Sequence, residues 1–94
     1  MELRFYEDPE TGLPHIYGHG VTEREVEQVL LGRGEDVPAA RGSRQKLGLT
    51  SAGRYLKVIY VPDEEPTSAF VITAYELRGK SKKAFRRRQQ RKGR

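Results

Sequence analysis

The clearest pattern of apolar and polar positions lies between residues 22 and 31. Val26 and Val29 recur at helical spacing, and polar residues occupy most of the positions around them, which predicts an α-helix with one buried stripe. Gly32 or Gly34 is expected to end this helix, since glycine commonly follows the last helical turn.

The start of this helix carries its own signals. Thr22 followed by Glu25 matches a capping box, in which each side chain accepts a hydrogen bond from the other residue's backbone N–H. Val21, just before the cap, and Val26 in the helix form a hydrophobic staple. We therefore expect a helix that begins at Thr22 and packs its apolar stripe against a core.

Other apolar runs have the alternation or the β-branched composition of strands. The first lies in residues 1–6, and three more cover 44–50, 54–61 and 69–77. The loops between the last three are short, which favours an antiparallel meander. Residues 35–42 are expected to form either a connection or a frayed edge strand.

This order predicts an α+β fold with two layers, in which one helix packs on an antiparallel sheet and a basic C-terminal helix follows. One helix must then cover one face of the sheet. The residues it is expected to bury are Val58, Tyr60, Ile72 and Ala74.

Charge divides the chain into two unequal parts. Residues 78–94 hold ten basic side chains and no acid, whereas residues 1–77 hold eight basic and thirteen acidic ones, a net charge of −5. We expect the domain over 1–80 and a basic segment over 81–94, with a helix capped by Ser81 and anchored by Phe85.

The basic segment has three interpretations: a solvated tail, a surface for an acidic protein partner, or an arm that binds nucleic acid. Like charges in a block repel and resist folding, but clustered Lys and Arg also release counterions from a polyanion. Nucleic-acid binding is our first interpretation, and the candidate phosphate contacts are Lys80, Lys82, Lys83, Arg86, Arg87 and Arg88.

The composition also sets expectations about location and cofactors. The chain has no cysteine and two histidines, so neither a disulfide nor a zinc site is expected. No apolar run approaches the roughly 20 residues that span a bilayer, and no cofactor or catalytic signature motif is present. We expect a cytoplasmic protein without a membrane partner, metal or cofactor.

Five residues have side chains that suit chemistry on nucleic acid. Tyr75, Arg78 and Lys80 lie where the last strand run meets the basic segment, and an aromatic ring beside cations suits base stacking. His19, between two glycines before the helix cap, is either a ligand or catalytic residue or a polar loop residue that bonds the helix start. Lys57 lies inside a strand and must face solvent or a cleft.

Short motifs along nearly the whole chain resemble the BrnT toxins. They are Phe5–Pro9, His19-Gly20-Val21 before the capped helix, the strand Leu56–Tyr60 and the strand Val71–Ala74 before a basic helix. The resemblance implies a RelE-like fold, a metal-independent ribonuclease activity and a small antitoxin protein partner. For such an activity Tyr75 and Arg78 are the first candidates, because strand alternation can place them at the entrance to the basic segment, and Lys57 and His19 are next.

The chain also departs from that family. BrnT toxins usually carry a basic residue where this chain has Tyr75, and an acid in the terminal helix where it has Lys82, Lys83 and Ala84. An alternative therefore stays open, in which the chain is similar to uncharacterised relatives of the toxins. Its function is then that of a non-catalytic nucleic-acid-binding module on the same scaffold.

Overall fold

The computed structural model describes residues 1–65 and 67–92 as an α+β fold with five strands and two α-helices. The strands are β1 (Glu2–Phe5), β2 (Gly34–Pro38), β3 (Arg44–Leu49), β4 (Tyr55–Pro62) and β5 (Ser68–Glu76). The helices are α1 (Glu23–Leu31) and α2 (Gly79–Lys92), and short 3-10 turns lie at His15–His19 and Ala40–Gly42.

The five strands form one mixed sheet in the order β1-β5-β4-β3-β2. Strands β2 to β5 are antiparallel neighbours, which confirms the meander of the last three runs. The prediction of an antiparallel sheet throughout is wrong, because β1 pairs with β5 in parallel. After β1 the chain crosses to the opposite edge of the sheet, where it forms β2. The meander then leads back across the sheet, so that β5 lies beside β1 and runs in the same direction.

The segment predicted as a connection or an edge strand contains the edge strand β2. It pairs with β3 from Gly34 opposite Gly48 to Pro38 opposite Arg44. Pro38 ends the strand, and a proline is tolerated there because an edge residue need not donate to the ladder.

Helix α1 begins as predicted. Thr22 is its N-cap, the Glu25 N–H donates to Thr22 Oγ1 over 3.2 Å, and the Thr22 N–H donates to Glu25 Oε1 over 3.0 Å. Val21 and Val26 are both fully buried, as expected of a hydrophobic staple. Gly32 caps the C-terminal end of the helix.

The main core lies between α1 and one face of the sheet. Three of the four predicted core positions, Val58, Tyr60 and Ala74, are buried there. Ile72 is only half-buried. The reason is a β-bulge: Ile59 pairs with Thr73 and Tyr60 with Val71, so Ile72 is the extra residue of β5 and has no partner in β4.

Helix α2 packs on the other face of the sheet, so the predicted two-layer arrangement with one packed helix is wrong. Phe85 is buried against Leu47 and Leu77 beside Tyr55, which confirms Phe85 as the anchor. The neighbours of Leu47 in β3 both face α1: Lys46 bonds to the Leu30 carbonyl, and Gly48 packs against Val29. Because successive strand residues alternate between the two faces of a sheet, Leu47 faces the opposite side, where α2 lies.

The prediction that Ser81 caps α2 is wrong. The helix already begins at Gly79, whose φ of +58° turns the chain from β5 into the helix, three residues before the Lys82 start that a Ser81 cap implies. Helix α2 therefore crosses the expected boundary after residue 80. Within the described ranges, no helix is long and apolar enough to cross a membrane.

Candidate nucleic-acid interface

An open cleft of about 560 Å³ lies beside the C-terminal half of β5. Strand β1 pairs only with residues 68–71, so the 3-10 turn that follows β1 can lie along the rest of β5. The cleft is lined by Gly18, His19, Tyr75, Glu76 and Arg78. His19, which the sequence analysis selected separately from Tyr75 and Arg78, thus lines one cleft with them.

Lys57 belongs to the same group of side chains. It is the register partner of Tyr75 in the β4–β5 pair, and its Nζ lies 5.8 Å from the centroid of the Tyr75 ring. The His19 ring lies 5.9 Å from the same Tyr75 ring. Tyr75 is therefore in contact range of both a cation and an imidazole, and it connects Lys57 to the residues that line the cleft.

These four side chains can carry out the proton transfers and charge neutralisation of phosphodiester chemistry. An imidazole and a phenol can accept or donate a proton at short range. A guanidinium and an ammonium can neutralise charge that develops on phosphate oxygens. Glu76 is the acid among the cleft residues, and its Oε1 accepts from Arg54 Nε over 3.3 Å.

Arg54 fixes the position of the 3-10 turn that carries His19. Its Nη1 donates to the Gly20 carbonyl over 2.8 Å and to both carboxylate oxygens of Glu25 over 3.1 Å. Gly20 follows His19 directly and adopts a φ of +69°, which ends the 3-10 turn. Arg54 thus joins this turn to α1 and, through Glu76, to β5.

Electrostatics favour the ionised form of this network. Partial burial alone would raise the pKa of Glu25, but hydrogen bonds from the Thr22 backbone and from Arg54 outweigh it and lower the pKa. Burial alone would lower the pKa of Arg54, but Glu25 and then Glu76 outweigh it and raise the pKa. The pair therefore stays charged at neutral pH.

Helix α2 presents its cations in two different situations. Lys80, Lys83, Arg86 and Arg87 are exposed, and the last three border one open groove. Half-buried Lys82 has its Nζ 5.3 Å from the Tyr55 ring, and the Arg86 Cζ lies 5.9 Å from that ring.

Arg88 is the one of the six predicted phosphate contacts that the structure pairs with a carboxylate. Its Nε and Nη2 donate to the two Glu35 oxygens over 2.5 and 2.8 Å. This bidentate pair ties α2 to the edge strand β2.

Two aromatic residues beside the cleft were not predicted from the sequence. The His15 ring lies 5.1 Å from the His19 ring, and the Tyr6 ring lies 6.0 Å from His15. His15 Nδ1 is also 3.9 Å from Asp8 Oδ2. The four-residue spacing of the two histidines is the signal that could have found the pair, once a helical turn was recognised there.

A second unpredicted polar group lies at the other end of α1 and has a structural role. Lys46 is 9% exposed, and its Nζ donates to the carbonyls of Leu30 and Gly32 over 2.9 and 2.6 Å, so it caps the helix. Nearby, the Tyr60 hydroxyl bonds to Asp36, and burial together with that bond raises the pKa of Tyr60 to about 12.

Comparison with known proteins gives no relative. No family model, curated protein or solved structure matches the chain. Within residues 1–65 and 67–92, no group of three or more His, Asp or Glu side chains could hold a metal ion. The chemistry of the cleft is therefore argued from its own side chains.

Proposed function

We propose that the protein binds single-stranded RNA and cleaves it without a metal ion, as the toxin of a type II toxin–antitoxin pair. The observation that carries the proposal is the meeting of His19, Tyr75 and Arg78 at one cleft, with Lys57 against the Tyr75 ring. Arg78 directly precedes α2, so the exposed cations of that helix continue from the cleft. A strand held by α2 would have its backbone beside the proton-transfer groups.

The reaction is an internal transesterification. The 2′-hydroxyl loses its proton to a base while its oxygen attacks the neighbouring phosphorus, and the bond from phosphorus to the 5′-oxygen breaks. The leaving oxygen gains a proton, and the products are a 2′,3′-cyclic phosphate and a 5′-hydroxyl. His19 and Tyr75 would move the two protons, and Arg78 and Lys57 would neutralise the phosphorane.

The RelE-like assignment of the fold and the small antitoxin partner belong to the same proposal. Their support is the resemblance of short motifs to the BrnT toxins, which includes the His19-Gly20-Val21 segment before the capped helix. Expression of the protein in bacteria should arrest growth, and co-expression of an adjacently encoded small acidic protein should restore it.

The test of the chemistry is RNA cleavage by purified variants in the presence of a chelator, which silences metal-dependent contaminants. Tyr75→Phe keeps the ring but removes the hydroxyl, so cleavage should fall by roughly 10²–10⁴-fold while RNA binding is retained. Arg78→Ala should weaken both binding and cleavage. Tyr17→Phe is the matched control, since Tyr17 is an exposed tyrosine outside the cleft lining.

Two results would contradict the proposal in different ways. Full activity of both cleft variants would move the reaction away from Tyr75 and Arg78. RNA binding by the parent protein without cleavage, with or without ribosomes, would replace the ribonuclease by the non-catalytic nucleic-acid-binding module.

A further inference from the structure

Four aromatic rings form an unbroken row that leads from the end of β1 to the cleft. The centroid distances are 6.0 Å from Tyr6 to His15, 5.1 Å from His15 to His19 and 5.9 Å from His19 to Tyr75. Each ring is therefore within contact range of the next. The cleft residues occupy only the second half of this row.

The backbone holds the row in place. The Tyr6 N–H donates to the Val71 carbonyl over 2.9 Å, which extends the β1–β5 pairing by one residue. The His15 N–H donates to the Tyr6 carbonyl, also over 2.9 Å. His15 and His19 are the first and last residues of the 3-10 turn, and Tyr75 belongs to β5. The row is thus set by paired backbone.

The row is accessible and has a cationic end. Tyr6 is 45% exposed, and the His15 side chain is 39% exposed. Lys57 lies over the Tyr75 ring, and Arg78 lines the cleft next to it. Exposed aromatic side chains beside cations are the arrangement that proteins use for single-stranded nucleic acid, where rings stack on bases and cations hold phosphates.

The tilt between the rings determines which nucleic acid fits. Successive ring planes are inclined by 57°, 74° and 53°. Bases that stack on these rings cannot remain stacked on one another, because they take on the same inclinations. A duplex keeps its bases stacked and paired, whereas the bases of a single strand can be splayed out onto aromatic side chains.

We infer that Tyr6, His15, His19 and Tyr75 form a stacking surface for consecutive unpaired bases of a single RNA strand and lead that strand into the cleft. The inference rests on the proposed function and deepens it, since it names unpaired, unstacked RNA as the substrate class. Tyr6 and His15 are binding residues outside the cleft, and they contact bases that are not cleaved.

The experiment compares Tyr6→Leu with Tyr17→Leu, a matched pair because the two tyrosines are 45% and 44% exposed. Tyr17 lies in the same 3-10 turn, with its hydroxyl bonded to Glu23 rather than its ring in the row. The probes are a labelled oligouridylate, an abasic strand of equal length and a duplex of the same length. Affinity is measured over a range of salt concentrations.

Tyr6→Leu should weaken oligouridylate binding by roughly 5- to 150-fold, the effect of losing one stacked base. Its affinity for the abasic strand and its salt dependence should match those of the parent, because every cation that holds a phosphate is still present. Tyr6→Phe should retain parent affinity, since the ring remains, and Tyr17→Leu should match the parent with every probe. The parent should bind the single strand more tightly than the duplex.

Three outcomes would overturn the inference. They are equal affinity of the parent for base-containing and abasic strands, equal affinity for single strand and duplex, and a Tyr6→Leu loss that is the same with the abasic strand. The stacking surface and the proposed function can fail independently. If the parent cleaves RNA and Tyr6→Leu leaves RNA affinity unchanged, only the stacking surface is overturned. The expected binding pattern without cleavage overturns only the ribonuclease, and no RNA binding by the parent overturns both.

Discussion

Helix α1 meets the sheet through Val26 and Val29, which are fully buried, whereas Phe85 is the buried residue among those described in α2. The first turn of α1 carries Glu23 and Glu25, which complement the helix dipole. The first turn of α2 has no acid, and Lys80 lies there instead. One helix is thus built into the core. The other is held by one buried side chain and by polar contacts such as the Arg88–Glu35 pair, and most of its described cations are exposed.

The difference teaches where substitutions act. A substitution on the α1 side affects a core of ten buried residues, most of which belong to α1 or to the sheet. Changes on the α2 side reach three buried residues, Leu47, Leu77 and Phe85. Stability and the proposed nucleic-acid binding should therefore be separable in this chain, and the following experiments test that separation.

The largest effects are expected from truncating one core residue on each side. Leu56→Ala should lower the free energy of unfolding by about 2–5 kcal/mol, because Leu56 is fully buried beneath α1. Hydrogen exchange should then accelerate in all strands. Phe85→Ala should accelerate exchange mainly in α2 and leave the β4 amides protected. Equal loss of protection in β4 for the two variants would show that the two sides form one cooperative unit.

A smaller effect is expected at the start of α1. Thr22→Ala removes the hydroxyl that accepts the Glu25 N–H, and should cost about 1 kcal/mol of stability, measured by denaturant unfolding. Thr22→Ser keeps the hydroxyl and should stay close to the parent. An alanine variant with parent stability would mean that the capping box does not anchor this side of the molecule.

The smallest effect on stability is expected from the exposed cations of α2. Replacing Arg86 and Arg87 by Gln should change the free energy of unfolding by less than about 0.5 kcal/mol. The same variant should bind single-stranded RNA with a salt dependence lower by roughly 0.7 for each phosphate that it no longer neutralises. Arg24→Gln with Arg33→Gln is the matched control, as it removes two exposed arginines outside α2. Equal slopes for the two variants would remove α2 from the interface.

Helix α1 could be predicted because all its signals are local. The cap, the staple and the apolar stripe fall within a few residues of Thr22, and no distant contact is needed to read them. The pairing of β1 could not be predicted in the same way, because its partner β5 is distant in sequence and nothing in β1 marks the direction of the pair. The bulge that displaces Ile72 is likewise a property of two strands together.

The candidate site shows the same division. Tyr75, Arg78, Lys57 and His19 could be selected by residue type. His19 comes close because the 3-10 turn lies along the part of β5 that β1 does not pair, and Lys57 because it is the register partner of Tyr75. Arg54 could not be selected, since its acceptors belong to Gly20, Glu25 and Glu76, which are all distant from Arg54 in the sequence. Sequence patterns name chemical groups, and the topology decides which of them meet.

The parallel pairing of β1 with β5 has a consequence for how the protein is made. Leu3 lies beside Ala69, so β1 cannot pair until β5, which is synthesised more than 60 residues later, is available. Closing so long a loop costs entropy, and folding is slower when contacts join distant parts of a chain. The 3-10 turn with His19 follows β1 and reaches β5 only in that step. A nascent chain therefore carries no assembled cleft until β5 has been synthesised.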